Sequence, residues 1–500
     1  MSVEGIGAAK IELDILTSFQ RRIHLQDDDS EIISSKFHYQ FTKTSWSANL
    51  IEEMDATIRK DGDDITFVAN QKFDFLLYTY IVQDIQAMKV AKKARKKVQI
   101  CMPHNFGHNI IGHGSVRVDG ISLQNIDNTW LDIYSQFYMK PGMREHYDIM
   151  IGNVPFLQEW GTSIPGYTVV VPQPFHYSKD PAVALPLFMK SLSRVTHNYN
   201  FRRKLSEIVR MRIIDDDEWK EIPYNWSYME AVKQDEMLTQ PRMFGRYVVI
   251  TKEERNWHQG IDADGSQDKY KPPRIVYGEN IVKVTHTNTS GLGQSVGLTL
   301  HSSTPTKAMF WVAENMEAQK YNNRSNYTTN PNNINEGWNP ICETSLTYGG
   351  VAKFSEMPSY HFDMSEPWHS FVSAPSEPGY NGFSFAYDTS TIHGDVGIVF
   401  NGIGSSGVTL TTKLGDTDPF LKKVIDKRRR DEEIDPDSFV PDEIKGDVSM
   451  SDNNGPSFKV IAYLLTTTKM TFPSEGKISI DRGVVPGVGV SNNILGLEDQ

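Results

Sequence analysis

Short apolar runs, broken by proline, glycine and asparagine, set the pattern of this chain. Phe37, Tyr39 and Phe41 alternate with polar neighbours across Lys36–Thr42, the period of a half-buried strand. Ile65–Val68, Phe73–Val82, Val98–Met102 and Asn109–Ile111 read as further strands, several of them rich in β-branched and aromatic residues. Val116–Val118 and Ile121–Leu123 flank Asp119-Gly120, a strong hairpin signal. The period then changes. Trp130, Ile133, Tyr134 and Phe137 fall at i, i+3, i+4 and i+7, which predicts one short amphipathic helix with Asn128 as its N-cap and Pro141 as its stop.

Thr168–Val171 and Ala182–Phe188 are predicted strands around the turn Ser178-Lys179-Asp180-Pro181. Pro172, Pro174, Pro181 and Pro186 confine them to strand starts, edges and bulges, because proline cannot donate to a sheet ladder. Such strands enter and leave sheets at corners, as in jelly rolls and sandwiches. Ser193–Arg203 alternates as another strand.

Lys204–Pro241 changes character, with Asp215-Asp216-Asp217-Glu218, prolines and scattered aromatics, and is read as the domain junction. The second half restarts with Arg246–Thr251 and continues through Ile281–Thr285, Val296–Leu300 and Lys307–Ala313. Tyr321–Trp338 is dominated by asparagine and reads as loop. Asp395–Phe400 and Val408–Lys413 are predicted to form a hairpin, and Phe458–Met470 is the longest β-like run. The predicted organisation is an arm at 1–31 (with a short element at Ile11–Leu16), a first β-domain at 32–212 and a connection at 213–241. A second β-domain follows at 242–482, with a charged loop inserted at 415–457, and then a tail at 483–500.

Composition narrows the function. Net charge is −12, whereas a protein that coats nucleic acid is normally basic, so no direct nucleic-acid binding is expected. Cys101 and Cys342 are the only cysteines, too few for a disulfide framework. Met1–Lys10 lacks the pattern of a signal peptide, and no run of about 18 apolar residues offers a membrane span.

His104, His108 and His113, with Cys101 nearby, are the best enzyme-like cluster, since histidines at such spacing can ligate zinc or iron. Pro103, Gly107, Gly112 and Gly114 break any helix that would align them, and no carboxylate falls within Cys101–Ser115. The expectation is therefore polar histidines in a strand and its loop, with no metal, no cofactor and no catalytic residue. No Gly-x-x-x-x-Gly-Lys-Ser/Thr phosphate loop and no Gly-x-Ser-x-Gly elbow occurs. The basic run Lys89–Lys97 lacks an apolar face and reads as a solvated loop. Lys427-Arg428-Arg429-Arg430 is followed at once by acids and reads as a self-neutralising exposed loop. Asn225, Asn288, Asn323 and Asn326 begin glycosylation sequons.

The stretch Val171-Pro172-Gln173-Pro174-Phe175-His176-Tyr177-Ser178-Lys179-Asp180, running on to Ala184-Leu185-Pro186, resembles a segment of the major capsid proteins of large eukaryotic DNA viruses, especially the iridovirus-like ones. His104-Asn105 to Asn109-Ile110, Trp130–Met139 and Tyr147–Asn153 resemble that family upstream. Pro358-Ser359-Tyr360, Pro367-Trp368 and Phe383–Tyr387 do so downstream. The resemblance implies an all-β chain of two eight-stranded antiparallel jelly rolls in tandem, with short helices in loops. It also implies a homotrimeric, pseudo-hexameric capsomer that builds an icosahedral shell. The implied partners are neighbouring capsomers, minor capsid and penton proteins, and an internal viral membrane. The implied location is the virion capsid, made and assembled in host cytoplasm. Two rival readings are a cupin-like jelly-roll metalloenzyme using His104, His108 and His113, and a lectin-like glycan-binding module. Exposed loop aromatics, Tyr224–Tyr228, Trp338 and Pro367-Trp368, are candidates for contacts between copies.

Overall fold

The computed structural model describes residues 47–59, 63–140, 142–189, 192–215, 217–230, 232, 238–259, 261, 274–386, 389, 398, 400, 407–415, 456–473 and 478–481. These form two β-sandwiches side by side. In the first, one sheet runs Ser47–Glu53, Arg242–Ile250, Phe75–Ile85, Tyr167–Gln173. Its partner sheet runs Asp64–Val68, Val195–Phe201, Ile111–Val118, Ile121–Asp127, with Asp55–Ile58 on its edge. In the second, one sheet runs Arg274–Thr285, Ser457–Phe472, Thr306–Asn315, Asn381–Ser384. The other runs Ser295–Leu300, Val408–Leu414, Ile341–Tyr348, Val351–Pro358. Counted within each sandwich, the principal strands follow 1-8-3-6 against 2-7-4-5, the jelly-roll order, and all pair antiparallel. Strand direction therefore alternates, so the 3–4, 5–6 and 7–8 connections of a sandwich leave from one end.

Local chemistry explains the elements. Val195, His197, Tyr199 and Phe201 point inward and Thr196, Asn198 and Asn200 outward, as the two-residue period of a strand requires. Asp119 and Gly120 both have positive φ, 50° and 86°, so the predicted hairpin closes through a primed turn that matches strand twist. The helix Asn128–Phe137 forms where the period predicts it, but its cap is Asp127, whose carboxylate accepts the Trp130 amide at 2.8 Å. Either residue can cap. Asp127 does so because its backbone is still extended while Asn128 is already helical.

Four expectations need correction. The predicted junction at 213–241 is not a linker, and no second domain restarts at 242. Arg242–Ile250 is the closing strand of the first sandwich, held between Ser47–Glu53 and Phe75–Ile85. The charged stretch before it is a 7–8 connection containing the strands Arg210–Asp215 and Glu218–Ile222. Passage to the second sandwich comes later, beyond the helix Lys252–Gln259. Ala182–Phe188 makes only the two-residue strand Leu185–Pro186, since its prolines withhold donors. Asn109 ends a helical turn, Phe106–Asn109, before the strand begins at Ile111. Ile398 bridges Thr306, and Val408–Leu414 pairs with Ser295–Leu300 and Ile341–Tyr348, so the Asp395–Phe400 hairpin pairing does not form among the described residues. The arm at 1–31, the strand Lys36–Thr42, nearly all of the 415–457 insertion and the tail at 483–500 lie outside the described residues.

Candidate assembly faces and a buried polar joint

The two sandwiches meet along one face. The helix Asn128–Phe137, which directly follows the fifth strand of the first sandwich, lies against the 1-8-3-6 sheet of the second. Trp130 sits 5.8 Å from Phe310 and 5.9 Å from Tyr463, and Phe137 sits 4.9 Å from Phe310. These residues share one apolar cluster with Ile65, Phe67 and Val171 of the first sandwich and Ile281, Val312 and Leu465 of the second. Aromatic pairs of this kind add about 0.5–1.5 kcal/mol each beyond the area they bury. The second sandwich also has its own core around Trp311, Phe362 and Leu410.

Charge also crosses between the two sandwich faces. Asp127 caps its helix, receives the Tyr463 hydroxyl at 2.8 Å and pairs with Lys283 at 2.7 Å. Glu279 is buried between Lys179 and Lys307, both of which ion-pair with it. A buried carboxylate tolerates desolvation when cations and hydrogen bonds replace its water, and the two lysines do that here.

A second polar network joins the loop ends. His108 is fully buried, with Nδ1 2.7 Å from Asp132 and Nε2 2.8 Å from the Tyr147 hydroxyl. Asp132 also accepts from Asn105 and from Tyr327, the latter reaching in from the second sandwich at 2.8 Å. His104 lies 3.0 Å from Glu377, and Arg144 donates to the same carboxylate at 3.2 Å. Burial alone would raise the Glu377 carboxyl, but His104 and Arg144 pull it down to about 2. Burial would lower His104, yet Glu377 more than offsets that and leaves it raised.

The predicted histidines are thus only partly brought together. His104 and His108 belong to the two limbs of this network. His113 sits on a strand beside Asp127, its side chain exposed and its pKa lowered by desolvation. Asp132, Arg144 and Glu377 were missed by sequence reasoning because they are distant in the chain. The cap signal before Trp130 was the one local hint that this helix carries chemistry. Both ring nitrogens of His108 have partners, Asp132 and the Tyr147 hydroxyl. Among the described residues, no group of three or more His, Cys, Asp and Glu is arranged to hold a metal.

A cleft of about 610 Å³ opens between the loop ends and includes Trp160, Arg212 and Trp219 in its walls. The Arg212 guanidinium lies 4.6 Å from the Trp160 ring and 4.9 Å from the Trp219 ring, so it already stacks on the surfaces a lectin-like reading would want for sugar. The basic run is a turn-rich surface segment: Lys92, Lys93, Lys96 and Lys97 are exposed, Ala94 is its buried anchor, and Arg95 pairs with Glu230. Asn323 and Asn326 are buried and donate to the Pro331 carbonyl, so two of the four sequons are closed. The asparagine-rich loop is therefore packed, with Tyr327 and Thr328 also buried. Of the loop aromatics, Trp338 is half-buried, Trp226 is 44% exposed and Trp368 is 79% exposed.

Comparison with known proteins gives a consistent picture. A family model described as major capsid protein N-terminus matches residues 35–249, and one described as large eukaryotic DNA virus major capsid protein matches residues 279–412. The major capsid protein of Invertebrate iridescent virus 6 is 24% identical over 397 residues, covering 75% of this chain and 77% of that protein. That of Heliothis virescens ascovirus 3e is 25% identical over 347 residues, covering 67% and 72%. Among solved structures, the PBCV-1 capsid superposes with a TM-score of 0.61 at 13% identity, over 90% of this chain and 100% of that one. The Faustovirus major capsid protein superposes with a TM-score of 0.62 at 8% identity, over 92% and 98%. At such identities the structural likeness speaks for the fold, a double jelly roll.

Proposed function

Because the chain belongs to the major capsid proteins of large eukaryotic DNA viruses, we propose that its working unit is a homotrimeric capsomer. Three chains contribute six sandwiches to a pseudo-hexagonal block, and such blocks tile an icosahedral shell. The observation that carries this reading is the joint. Two sandwiches of the same strand order are locked side by side by one shared apolar cluster, so each chain is a rigid third of a six-sandwich ring. The work is done by burial and shape, and the function is structural.

Neighbouring capsomers, minor capsid and penton proteins are the partners this reading assigns, with assembly in host cytoplasm. The exposed lysines of Lys89–Lys97 suit an acidic neighbour or an anionic internal membrane. An obligate interface between copies should bury more than about 2,000 Å². Light scattering at micromolar concentration tests the proposal. The expected mass is three times 56.7 kDa, with a melting temperature that rises with protein concentration. A well-folded chain that stays monomeric on concentration would overturn it.

A further inference from the structure

Among the described residues, the joint inside the chain has an unfilled counterpart on its surface. In the second sandwich, Phe310 on the third strand pairs directly with Tyr463 on the eighth. Both are buried beneath Trp130, which comes from the helical 5–6 connection of the first sandwich. In the first sandwich, the same two strands carry the same kind of pair: Tyr80 on the third opposite Phe244 on the eighth. These rings stack at 5.5 Å on the outer face of the sheet and are only half-buried. Register places Ile51, Tyr78 and Arg246 in the adjacent row, with Pro172 beside Tyr80. Ile51 is 59% exposed. Tyrosine, phenylalanine and arginine are the residues enriched at interface cores.

A counterpart to Trp130 exists as well. The 5–6 connection of the second sandwich is also helical, His361–Ser365 running into Glu366–Ser370, and directly follows the strand Val351–Pro358. Its Phe362 and Pro367 are buried in their own sandwich. Tyr360, Met364 and Trp368, spaced four apart, are exposed. Among the described residues, one chain therefore holds one filled joint, one open aromatic face and one unused helix bearing a tryptophan.

We infer that Trp368 of one copy docks on the Tyr80–Phe244 face of a second copy, repeating between chains the Trp130 contact made within each chain. The occupant of the face is thus a second copy of this chain, argued from continuity with the internal joint. The contact is heterologous, with helix and face on different surfaces, and such contacts close into rings when the rotation allows. This rests on the trimeric reading above and names its interface.

The test uses the full chain and two substitutions at exposed or half-exposed positions, Trp368→Asp and Phe244→Asp. Each variant alone is expected to lose the trimer and run at the monomer mass, with an unchanged far-UV spectrum. Mixed together they are expected to form a two-chain species, because the first keeps its face and the second keeps its helix. A Trp368→Asp protein that remains trimeric overturns the contact while leaving the trimeric reading intact. A wild-type monomer overturns both. Deleting residues 1–46 is expected to leave the trimer in place. Loss of the trimer on that deletion, with Trp368→Asp still trimeric, would assign the face to the chain's own N-terminal segment and overturn the contact.

Discussion

Asp127 and Tyr463 are 336 positions apart and joined by a 2.8 Å hydrogen bond that ties one sandwich to the other. The same carboxylate caps the helix bearing Trp130 and pairs with Lys283. Replacing Asp127 by Ala removes the cap and strands a buried hydroxyl. The expected loss is about 2–4 kcal/mol, from a cap worth ~1 and an unsatisfied group worth ~1–3. Tyr463→Phe should cost only about 1 kcal/mol, since the ring still packs on Trp130. Urea unfolding of the two variants, compared at one protein concentration, measures both.

Acid should weaken the fold through two buried histidines. Burial pushes His176 down to about 4 and His197 down to about 3. Below the ordinary histidine value of ~6.5 the unfolded chain takes up protons that these two sites refuse, so stability falls as pH drops. Between pH 7 and 5 each contributes a loss on the order of 2 kcal/mol, reckoned at ~1.4 kcal/mol per pH unit. His104 works the other way: its pKa is raised, so its contribution is present below ~6.5 and fades as pH climbs through its folded value. Glu377, held at about 2, keeps its own contribution above ~4.3 and loses it as pH falls toward 2. Asp363, raised to about 7 by burial, also adds stability as pH falls from 7, so the test isolates one residue: His197→Gln should flatten the slope of unfolding free energy against pH between ~7 and ~5.

Purified protein is expected to contain no stoichiometric zinc or iron. The His108 ring is committed to Asp132 and Tyr147, and His104 to Glu377. Elemental analysis finding about one metal per chain, lost in His108→Ala, would reverse the assignment.

The charged insertion at 415–457 is expected to be an exposed loop before the last long strand. Limited proteolysis should cut first near Lys427–Arg430 and leave the trimer mass unchanged. First cleavage elsewhere would count against it.

What could be read from the chain was whatever its local period encodes. The helix at Trp130 and the hairpin at Asp119-Gly120 stood out because four apolar positions at helical spacing and one turn dipeptide specify them. The end of the first sandwich did not. Arg242–Ile250 belongs to it only because it inserts between strands ending at Glu53 and starting at Phe75. No neighbouring residue records that pairing, while the acids and prolines before it imitate a linker. The polar joint was half legible: the histidines were visible as a cluster, but Asp132, Arg144 and Glu377 reach them from three other segments.

The placement of Ser457–Phe472 carries a consequence for synthesis. This last long strand is a middle strand of its sheet, lying between Arg274–Thr285 and Thr306–Asn315. The first sandwich can close while the rest is still being made, once residue 250 has left the ribosome. The second keeps a gap in its centre until residues beyond 456 emerge. A nascent chain therefore carries a finished half tethered to an unfinished one, and long-range pairing of this kind is slow to form. Abandoned translation products would lack that central strand and the Tyr463 side of the joint.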